Sequence, residues 1–187
     1  MMYDFFPVPV YSTDLKLDLK ALTDFCLKRE QDDAGVSISN RGGWQSSEIY
    51  LPVEPLSGLV KNILRSAESY RKIIKYKHPL KIANLWININ RHKDYNVKHR
   101  HPNCVVSGVY YVNMPSGSLI LYHPAENVLE YDWGPDVVSE YVGYNSSLYS
   151  LNPTNNTLVL FPSWLSHSVG PNTSTENRIT ISFNLVR

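Results

Sequence analysis

Four side chains of this sequence are suited to holding a metal ion beside an anion. His99 and His101 lie two residues apart, His167 recurs far along the chain, and Arg178 follows it by eleven residues. Imidazole is a ligand for Fe, Zn, Cu and Ni alike, so these histidines predict a transition-metal site without selecting the metal. An arginine downstream of them predicts that an anion binds next to the metal.

The part of the chain that contains these residues is predicted to consist of short β-strands. From about residue 83 the apolar residues recur with a period of two, which predicts clear strands at 84–90, 105–112, 118–122, 157–161 and 177–186, and weaker ones near 128–132, 138–143 and 147–151. Many short strands separated by turn sequences predict a jelly roll or sandwich of two sheets. At a strand end, the i, i+2 spacing places His99 and His101 on one side.

The last predicted strand has two faces of different character. The apolar face carries Ile179, Ile181, Phe183 and Leu185. The polar face carries Arg178, Thr180, Ser182 and Asn184. A polar strand face is ordinarily solvated. In a small barrel whose outside is covered by helices, however, this face would turn inward and line a polar pocket with one fixed positive charge.

Residues 1–80 are predicted to form helices that pack against the outside of this β-core. Segment 3–12 contains Pro7 and Pro9, which predicts an edge strand or an extended segment. Helices are predicted over about 14–30, with caps from Ser12, Thr13 and Asp14, and over about 56–75. The polar loop 37–46 carries Trp44. It is either a turn whose tryptophan packs on the core or a loop that covers a pocket. We expect one domain, with the β-core at 81–187.

Composition narrows the functional classes. The chain has 187 residues, a net charge of +1 and a hydrophobic fraction of 43%, which are typical of a folded protein. The sequence has no run of basic residues that would predict nucleic-acid binding. It also has no apolar run of about twenty residues that would predict a membrane span. Cys26 and Cys104 lack metal or redox spacing, which favours two reduced thiols. We expect a cytoplasmic protein, and a homodimer is compatible with these features.

Several motifs, taken in order, resemble those of the Fe(II)- and 2-oxoglutarate-dependent dioxygenases, and more narrowly a family of oxygenases found in bacteria and phages. They are GGWQS at 42–46, HRHPN at 99–103, SGVYYV at 107–112, LFPSWLSH at 160–167 and RITISFN at 178–184. Each motif alone is weakly specific, whereas the set in this order is specific. The resemblance implies a double-stranded β-helix, a cupin-like jelly-roll barrel that is open at one end and buttressed by the N-terminal helices.

The resemblance also implies roles for residues and cofactors. Fe(II) would be held by histidines, and 2-oxoglutarate would be the cosubstrate, decarboxylated to succinate and CO2 as an unidentified small-molecule or peptide substrate is hydroxylated. Arg178 would bind the far carboxylate of 2-oxoglutarate, because guanidinium binds carboxylate bidentately. Further polar contacts would come from Thr180, Ser182, Asn88, and Tyr110 or Tyr111, and the pocket walls would be formed by Trp44, Trp86, Asn88 and Trp164.

The predicted metal ligands depart from the usual pattern of this enzyme class. A carboxylate ordinarily lies two residues after the first histidine, and His101 occupies that position if His99 is the first ligand. The site would then have three histidine ligands: His99, His101 and His167. Alternatively, His101 begins the motif and Asn103 substitutes for the acid. A third alternative is a distant carboxylate, from Asp94, Glu126, Asp132 or Asp136.

Three functions are compatible with these residues. The favoured one is a 2-oxoglutarate-dependent oxygenase. A cupin-like metalloenzyme with three histidine ligands and no 2-oxoglutarate is the second. The third is a metal-free jelly roll with a binding or structural role.

Overall fold

The computed structural model describes residues 6–132 and 134–187. Eleven strands and three helices were assigned within these ranges. The helices are α1 (Leu19–Asp32), α2 (Ser57–Ile73) and α3 (Glu126–Asp132). The strands are β1 (Tyr11–Asp14), β2 (Asn40–Arg41), β3 (Trp44–Gln45), β4 (Lys81–Asn90), β5 (Tyr95–His99), β6 (Val106–Asn113), β7 (Leu119–Tyr122), β8 (Leu148–Leu151), β9 (Thr157–Pro162), β10 (His167–Val169) and β11 (Arg178–Val186).

The strands form two antiparallel sheets. The larger sheet has six strands in the order β1-β9-β6-β11-β4-β3, and the smaller has five in the order β2-β5-β10-β7-β8. Strands distant in sequence are therefore neighbours, as a jelly roll requires: β4 and β6 both pair with the C-terminal strand β11. This mainly β architecture with N-terminal helices confirms the predicted fold class.

The helices cover the outer face of the larger sheet. Leu22 and Cys26 of α1, and Leu59 and Ile63 of α2, belong to one buried cluster. The same cluster contains the apolar residues of β4 and β11: Leu85, Ile87, Ile89, Ile179, Ile181, Phe183 and Leu185. The strict alternation of these strands then forces their polar residues onto the other face of the sheet. The predicted lumenal position of the polar face of β11 is thereby confirmed.

The predicted start of the first helix is wrong. Of the segment 3–12, whose residues 3–5 lie outside the described residues, the predicted edge strand is present as β1, and it continues to Asp14, which pairs with β9 instead of beginning the helix. The helix begins at Leu19, where the Asp18 carboxylate accepts hydrogen bonds from the amides of Lys20 (3.0 Å) and Ala21 (3.1 Å). A side chain that satisfies the free amides of the first turn defines where a helix starts. The second helix was predicted correctly to within two residues.

Two of the three weaker strand predictions are also wrong. Residues 126–132 form α3, which has Glu126 in its first turn, where a negative charge is favourable. Residues 138–143 form no strand, because the buried side chain of Asn145 bonds their backbone: its oxygen accepts from Val142 N (2.7 Å), and its amide donates to Glu140 O (2.9 Å). The third, 147–151, is confirmed as β8.

Four short strands were not predicted, and all lie near the histidines or in loop 37–46. They are β2, β3, β5 and β10. Each has between two and five residues, too few to show a period in the sequence. β1, β2 and β3 come from the N-terminal 80 residues, so this part contributes strands as well as helices. The division into a helical buttress at 1–80 and a core at 81–187 stays a prediction.

Within the described residues, no helix has both the length and the apolar content needed to cross a bilayer.

Candidate metal centre

Strand pairing brings the histidines together. His99, at the end of β5, is directly opposite His167, at the start of β10. Their ring centroids are 4.2 Å apart. His101 lies just beyond the end of β5, where its backbone amide donates to Ser163 O (3.0 Å). The structure therefore places all three predicted ligands in one group.

The three imidazoles present nitrogen atoms to a common point. One candidate ligand atom from each residue lies within 4.8 Å of the others, and Nε2 of His101 is 3.2 Å from Nε2 of His167. Nδ1 of His99 lies 2.7 Å from Val97 O, and Nδ1 of His167 lies 2.9 Å from Leu165 O. A carbonyl only accepts, so each Nδ1 carries the proton and each Nε2 keeps a lone pair. This is the tautomer that binds a metal.

Burial keeps these imidazoles neutral. Burial, together with the neighbouring His99, lowers the pKa of His167 to about 3 and that of His101 to about 4. Burial also lowers the pKa of His99, against the opposing effect of its bond to Val97. Metal binding requires deprotonated imidazole, so at neutral pH no proton has to be displaced. The donor set fits a divalent transition metal.

Arg178 is a buried cation without a protein counter-ion. Its side chain is 0% exposed, and no ion pair in the described ranges involves it. Nη1 donates to Gly170 O (2.8 Å) and Ser116 O (3.3 Å), Nη2 donates to Asp94 O (3.4 Å), and Nε has no partner. Burial lowers its pKa to about 10, so it remains charged at neutral pH. The nearby Asp94 and Tyr111 favour the charged form but offset the effect of burial only in part, which favours an anionic ligand here.

Two residues that the sequence did not single out shape the surroundings of Arg178. Gly117 has a φ of +95°, and a Cβ atom built on it would lie 2.1 Å from Nη1 of Arg178. Asn172, which is fully buried, donates to Asn90 O (2.9 Å) and Glu176 O (2.7 Å) and accepts from Ser116 Oγ (2.6 Å). It joins three chain segments that are distant in sequence. Neither residue belongs to a motif that would have identified it.

The histidines and Arg178 line one cavity of about 510 Å³ between the two sheets. Its lining also includes four more of the predicted site residues, Asn88, Tyr111, Thr180 and Ser182. Asn88 Nδ2 donates to Ser182 Oγ (3.1 Å), whereas its buried Oδ1 has no partner. A polar lining with unpaired atoms is typical of a ligand site rather than of a packed core.

Two predicted site residues lie outside this cavity. Tyr110 is adjacent to Tyr111 and so projects from the other face of β6, into the cluster beneath the helices, where its hydroxyl donates to Asn156 Oδ1 (2.5 Å). Asn103 is exposed in a turn with a φ of 66°. The proposed roles of Tyr110 as a cosubstrate ligand and of Asn103 as a substitute metal ligand are therefore wrong.

No carboxylate joins the three imidazoles among the described side chains. Glu126 pairs with Lys98, Asp94 accepts from Arg91 N (2.7 Å), and Asp136 is exposed. The side chain of Asp132 lies outside the described part of the structure. The structure thus supports the three-histidine alternative over a distant acid.

The tryptophans divide between the cavity and other positions. Trp86 lines the cavity and packs on His101, with ring centroids 5.6 Å apart. Trp44 packs against the core and donates to Asp33 O (2.9 Å), and Trp164 is 53% exposed, so neither forms the predicted wall. The loop around Trp44 does line the cavity, through Ile38, Ser39, Gln45 and Ser46. Both interpretations of loop 37–46 are therefore correct in part.

Solved structures with this fold were found by comparison. A prolyl-4-hydroxylase from Pseudomonas putida matches with a TM-score of 0.67 and 14% identity, over 96% of this chain and 93% of that one. A prolyl hydroxylase from Trichoplax adhaerens, in complex with a peptide fragment, matches with a TM-score of 0.60 and 16% identity, over 95% and 83%. HygX from Streptomyces hygroscopicus, with nickel and 2-oxoglutarate bound, matches with a TM-score of 0.57 and 9% identity, over 96% of this chain and 83% of that one. These likenesses confirm the double-stranded β-helix fold.

The sequence itself carries the family assignment. A family model described as "Putative 2OG-Fe(II) oxygenase" matches residues 84–184, which is more than half of the chain. The matched segment contains His99, His101, His167 and Arg178. No curated protein matches the sequence at a significant level. The chain belongs to this family of 2-oxoglutarate- and Fe(II)-dependent oxygenases.

Proposed function

We propose that the protein hydroxylates a small-molecule or peptide substrate in this cavity, with three histidines as the metal ligands and Arg178 as the cosubstrate anchor. The observation that carries the proposal is the unpaired buried guanidinium of Arg178 in the same cavity as the three imidazoles. A metal and a dicarboxylate together satisfy both groups. Fe(II) with 2-oxoglutarate supplies the oxygen activation, which yields hydroxylated product, succinate and CO2.

Nε2 of His99, His101 and His167 would hold the iron. The carbonyls of Val97 and Leu165 accept the Nδ1 protons of His99 and His167 and so fix the orientation of both rings. Three neutral ligands leave the charge of Fe(II) uncompensated by the protein. The carboxylate of the cosubstrate that faces the metal would therefore contribute more to the charge balance than in a site with a protein carboxylate.

Arg178 would bind the far carboxylate of 2-oxoglutarate. Nε of Arg178 has no partner, and the carbonyls of Ser116, Gly170 and Asp94 hold the other guanidinium nitrogens in place. Thr180, one pleat repeat along β11, and Tyr111, opposite it on β6, add hydroxyl groups to the same part of the cavity. The side chains are held before the ligand arrives, which limits the entropy lost on binding.

Anaerobic titration tests the proposal directly. Purified protein loaded with Fe(II) is expected to bind 2-oxoglutarate with a new charge-transfer absorption band, and to form succinate when oxygen is admitted. Iron-dependent turnover that is unaffected by removing 2-oxoglutarate would instead favour the three-histidine metalloenzyme without this cosubstrate. Failure to bind any divalent metal would favour the metal-free jelly roll.

The Gly117→Ala variant is expected to weaken 2-oxoglutarate binding by about 10- to 100-fold. The added methyl group would overlap Nη1 of Arg178, and alanine disfavours the φ of +95°. Isothermal titration of the Mn(II)-loaded variant with 2-oxoglutarate measures the effect. Gly143→Ala is the matched control, because no atom lies within 4 Å of a Cβ at Gly143. Equal affinities in the two variants would show that Gly117 does not position Arg178.

A further inference from the structure

The cavity extends well beyond the reach of the proposed cosubstrate. Along the polar face of β11, Asn184 lies six residues from Arg178, and both line the cavity. Six strand residues span about 20 Å, far more than the five-carbon chain of 2-oxoglutarate. Trp86, which packs on His101, lies between these ends on the neighbouring strand, opposite Ser182. The end at Asn184 is thus free for a second ligand beside the metal site.

Four neutral polar side chains are connected at this end. Ser163 and Ser107 have hydroxyl oxygens 2.9 Å apart, and Ser107 Oγ lies 2.7 Å from Asn184 Oδ1. Asn184 Nδ2 donates in turn to Asn84 Oδ1 at 2.9 Å. Ser163, Ser107 and Asn184 are 0%, 2% and 4% exposed, so water does not compete for these bonds. The series begins behind the cavity and ends at Asn84 in its lining.

The direction of these hydrogen bonds follows from the available protons. Ser107 has one hydroxyl proton, and it must go to Asn184 Oδ1, because an amide oxygen only accepts. Ser163 must therefore donate to Ser107. Asn184 Nδ2 donates in turn to Asn84 Oδ1, so the oxygen of Asn84 is the last acceptor of the series. Within the described residues Asn84 Nδ2 donates to no protein acceptor, and Asn84 is half-buried in the cavity lining, so its two N–H donors are available to a ligand there.

Charge is absent from the interior of this end. The cavity lining contains three charged side chains, Glu48, Arg100 and Arg178. Glu48 and Arg100 are exposed, so they lie at the rim rather than inside. A charged substrate group would therefore lose its hydration without gaining a counter-ion, whereas a neutral acceptor would lose little.

We propose that this end of the cavity is the substrate subsite and binds a neutral amide through its carbonyl oxygen, which accepts from Nδ2 of Asn84. The hydrogen-bonded residues behind Asn84 are positioning residues that keep its donor directed at the cavity. This inference rests on the proposed function, since it places the amide beside the metal site and assigns the Arg178 end to 2-oxoglutarate.

Nuclear magnetic resonance of the Zn(II)- and 2-oxoglutarate-loaded protein tests the subsite, because Zn(II) is diamagnetic and accepts three histidine ligands. The probes are acetamide, N-methylacetamide and acetate, and the signal is the side-chain ¹⁵N–¹H₂ resonance of Asn84. We expect both amides to shift this resonance with Kd on the order of 10 mM, as befits such small ligands. Tighter binding of N-methylacetamide would indicate a peptide bond, and tighter binding of acetamide a primary carboxamide.

The Asn84→Asp variant supplies the sharpest comparison. Its carboxylate still accepts from Asn184 but offers no donor to the cavity, so amide binding should weaken at least about tenfold, as monitored on the neighbouring Trp86 indole resonance. Asn127→Asp adds the same charge at an exposed position and should bind amides like the parent protein.

Two results would overturn the inference. One is an Asn84 resonance that responds to acetate as strongly as to the amides, and the other is amide binding that survives Asn84→Asp unchanged. The 2-oxoglutarate-dependent shifts in the same samples report the proposed function separately, so failure of the subsite and failure of the cosubstrate site are distinguishable.

Discussion

The His167→Ala variant is expected to lose stoichiometric Fe(II) binding, with a metal affinity at least about 100-fold lower and turnover reduced by about 10³-fold or more. His167 is 4% exposed, and its Nε2 lies 3.2 Å from that of His101, so the variant loses one of the three imidazoles and keeps only two protein ligands for the metal. Metal content after anaerobic loading and desalting, together with succinate formation, measures both effects. The same losses are expected for His99→Ala and His101→Ala.

The control for this prediction is His78→Ala, because His78 is exposed and lies outside the cavity. This variant should retain full iron and activity. The thermal unfolding of metal-free His167→Ala should remain cooperative, since the lost imidazole is neutral and makes a single backbone hydrogen bond. Stoichiometric iron in His167→Ala, or in His101→Ala, would show that the three imidazoles are not the ligand set.

The Arg178→Ala variant is expected to bind 2-oxoglutarate about 100- to 1000-fold more weakly while it still binds the metal. The cosubstrate carboxylate would be desolvated in the cavity without its counter-ion, and removing one partner of such a buried pair costs about 2–5 kcal/mol. Titration of the Mn(II)-loaded variant with 2-oxoglutarate gives the affinity, and metal analysis of the same sample shows whether the histidine site is intact.

Arg178→Lys separates charge from geometry. Lysine keeps the positive charge but lacks the planar fork that bonds three backbone carbonyls, so its affinity for 2-oxoglutarate should fall between those of the parent and Arg178→Ala. Unchanged 2-oxoglutarate affinity in Arg178→Ala would contradict the assignment of the anion site, and with it the proposed division of the cavity.

The pattern of residues along single strands determined much of this protein without reference to the rest of the fold. On β4 and β11 the period of two separates Ile87 and Ile181, which are buried beneath the helices, from Asn88 and Thr180, which line the cavity. Alternation is a property of the extended backbone itself, so it is visible in the sequence. The residue types of the three histidines and Arg178 were equally sufficient to predict a metal beside an anion.

Tertiary structure alone decided which residues meet. The pairing of His99 with His167 joins positions on two strands too short to show a period. Tyr110 and Tyr111 were equivalent in the sequence, and only the register of β6 against β11 places Tyr111 at the cavity. Residues 128–132, predicted as a weak strand, belong instead to helix α3, because strand preference in so short a segment depends on its tertiary surroundings.

The surroundings of the site were the least visible in the sequence. Gly117 matters because Arg178 approaches its backbone, and the bonds that link Ser163 to Asn84 cross strands 56 to 100 residues apart along the chain. Local sequence determines the conformation of a segment and the face on which each side chain lies. Contacts between distant segments depend on sheet order and register, which the packing of the whole chain selects.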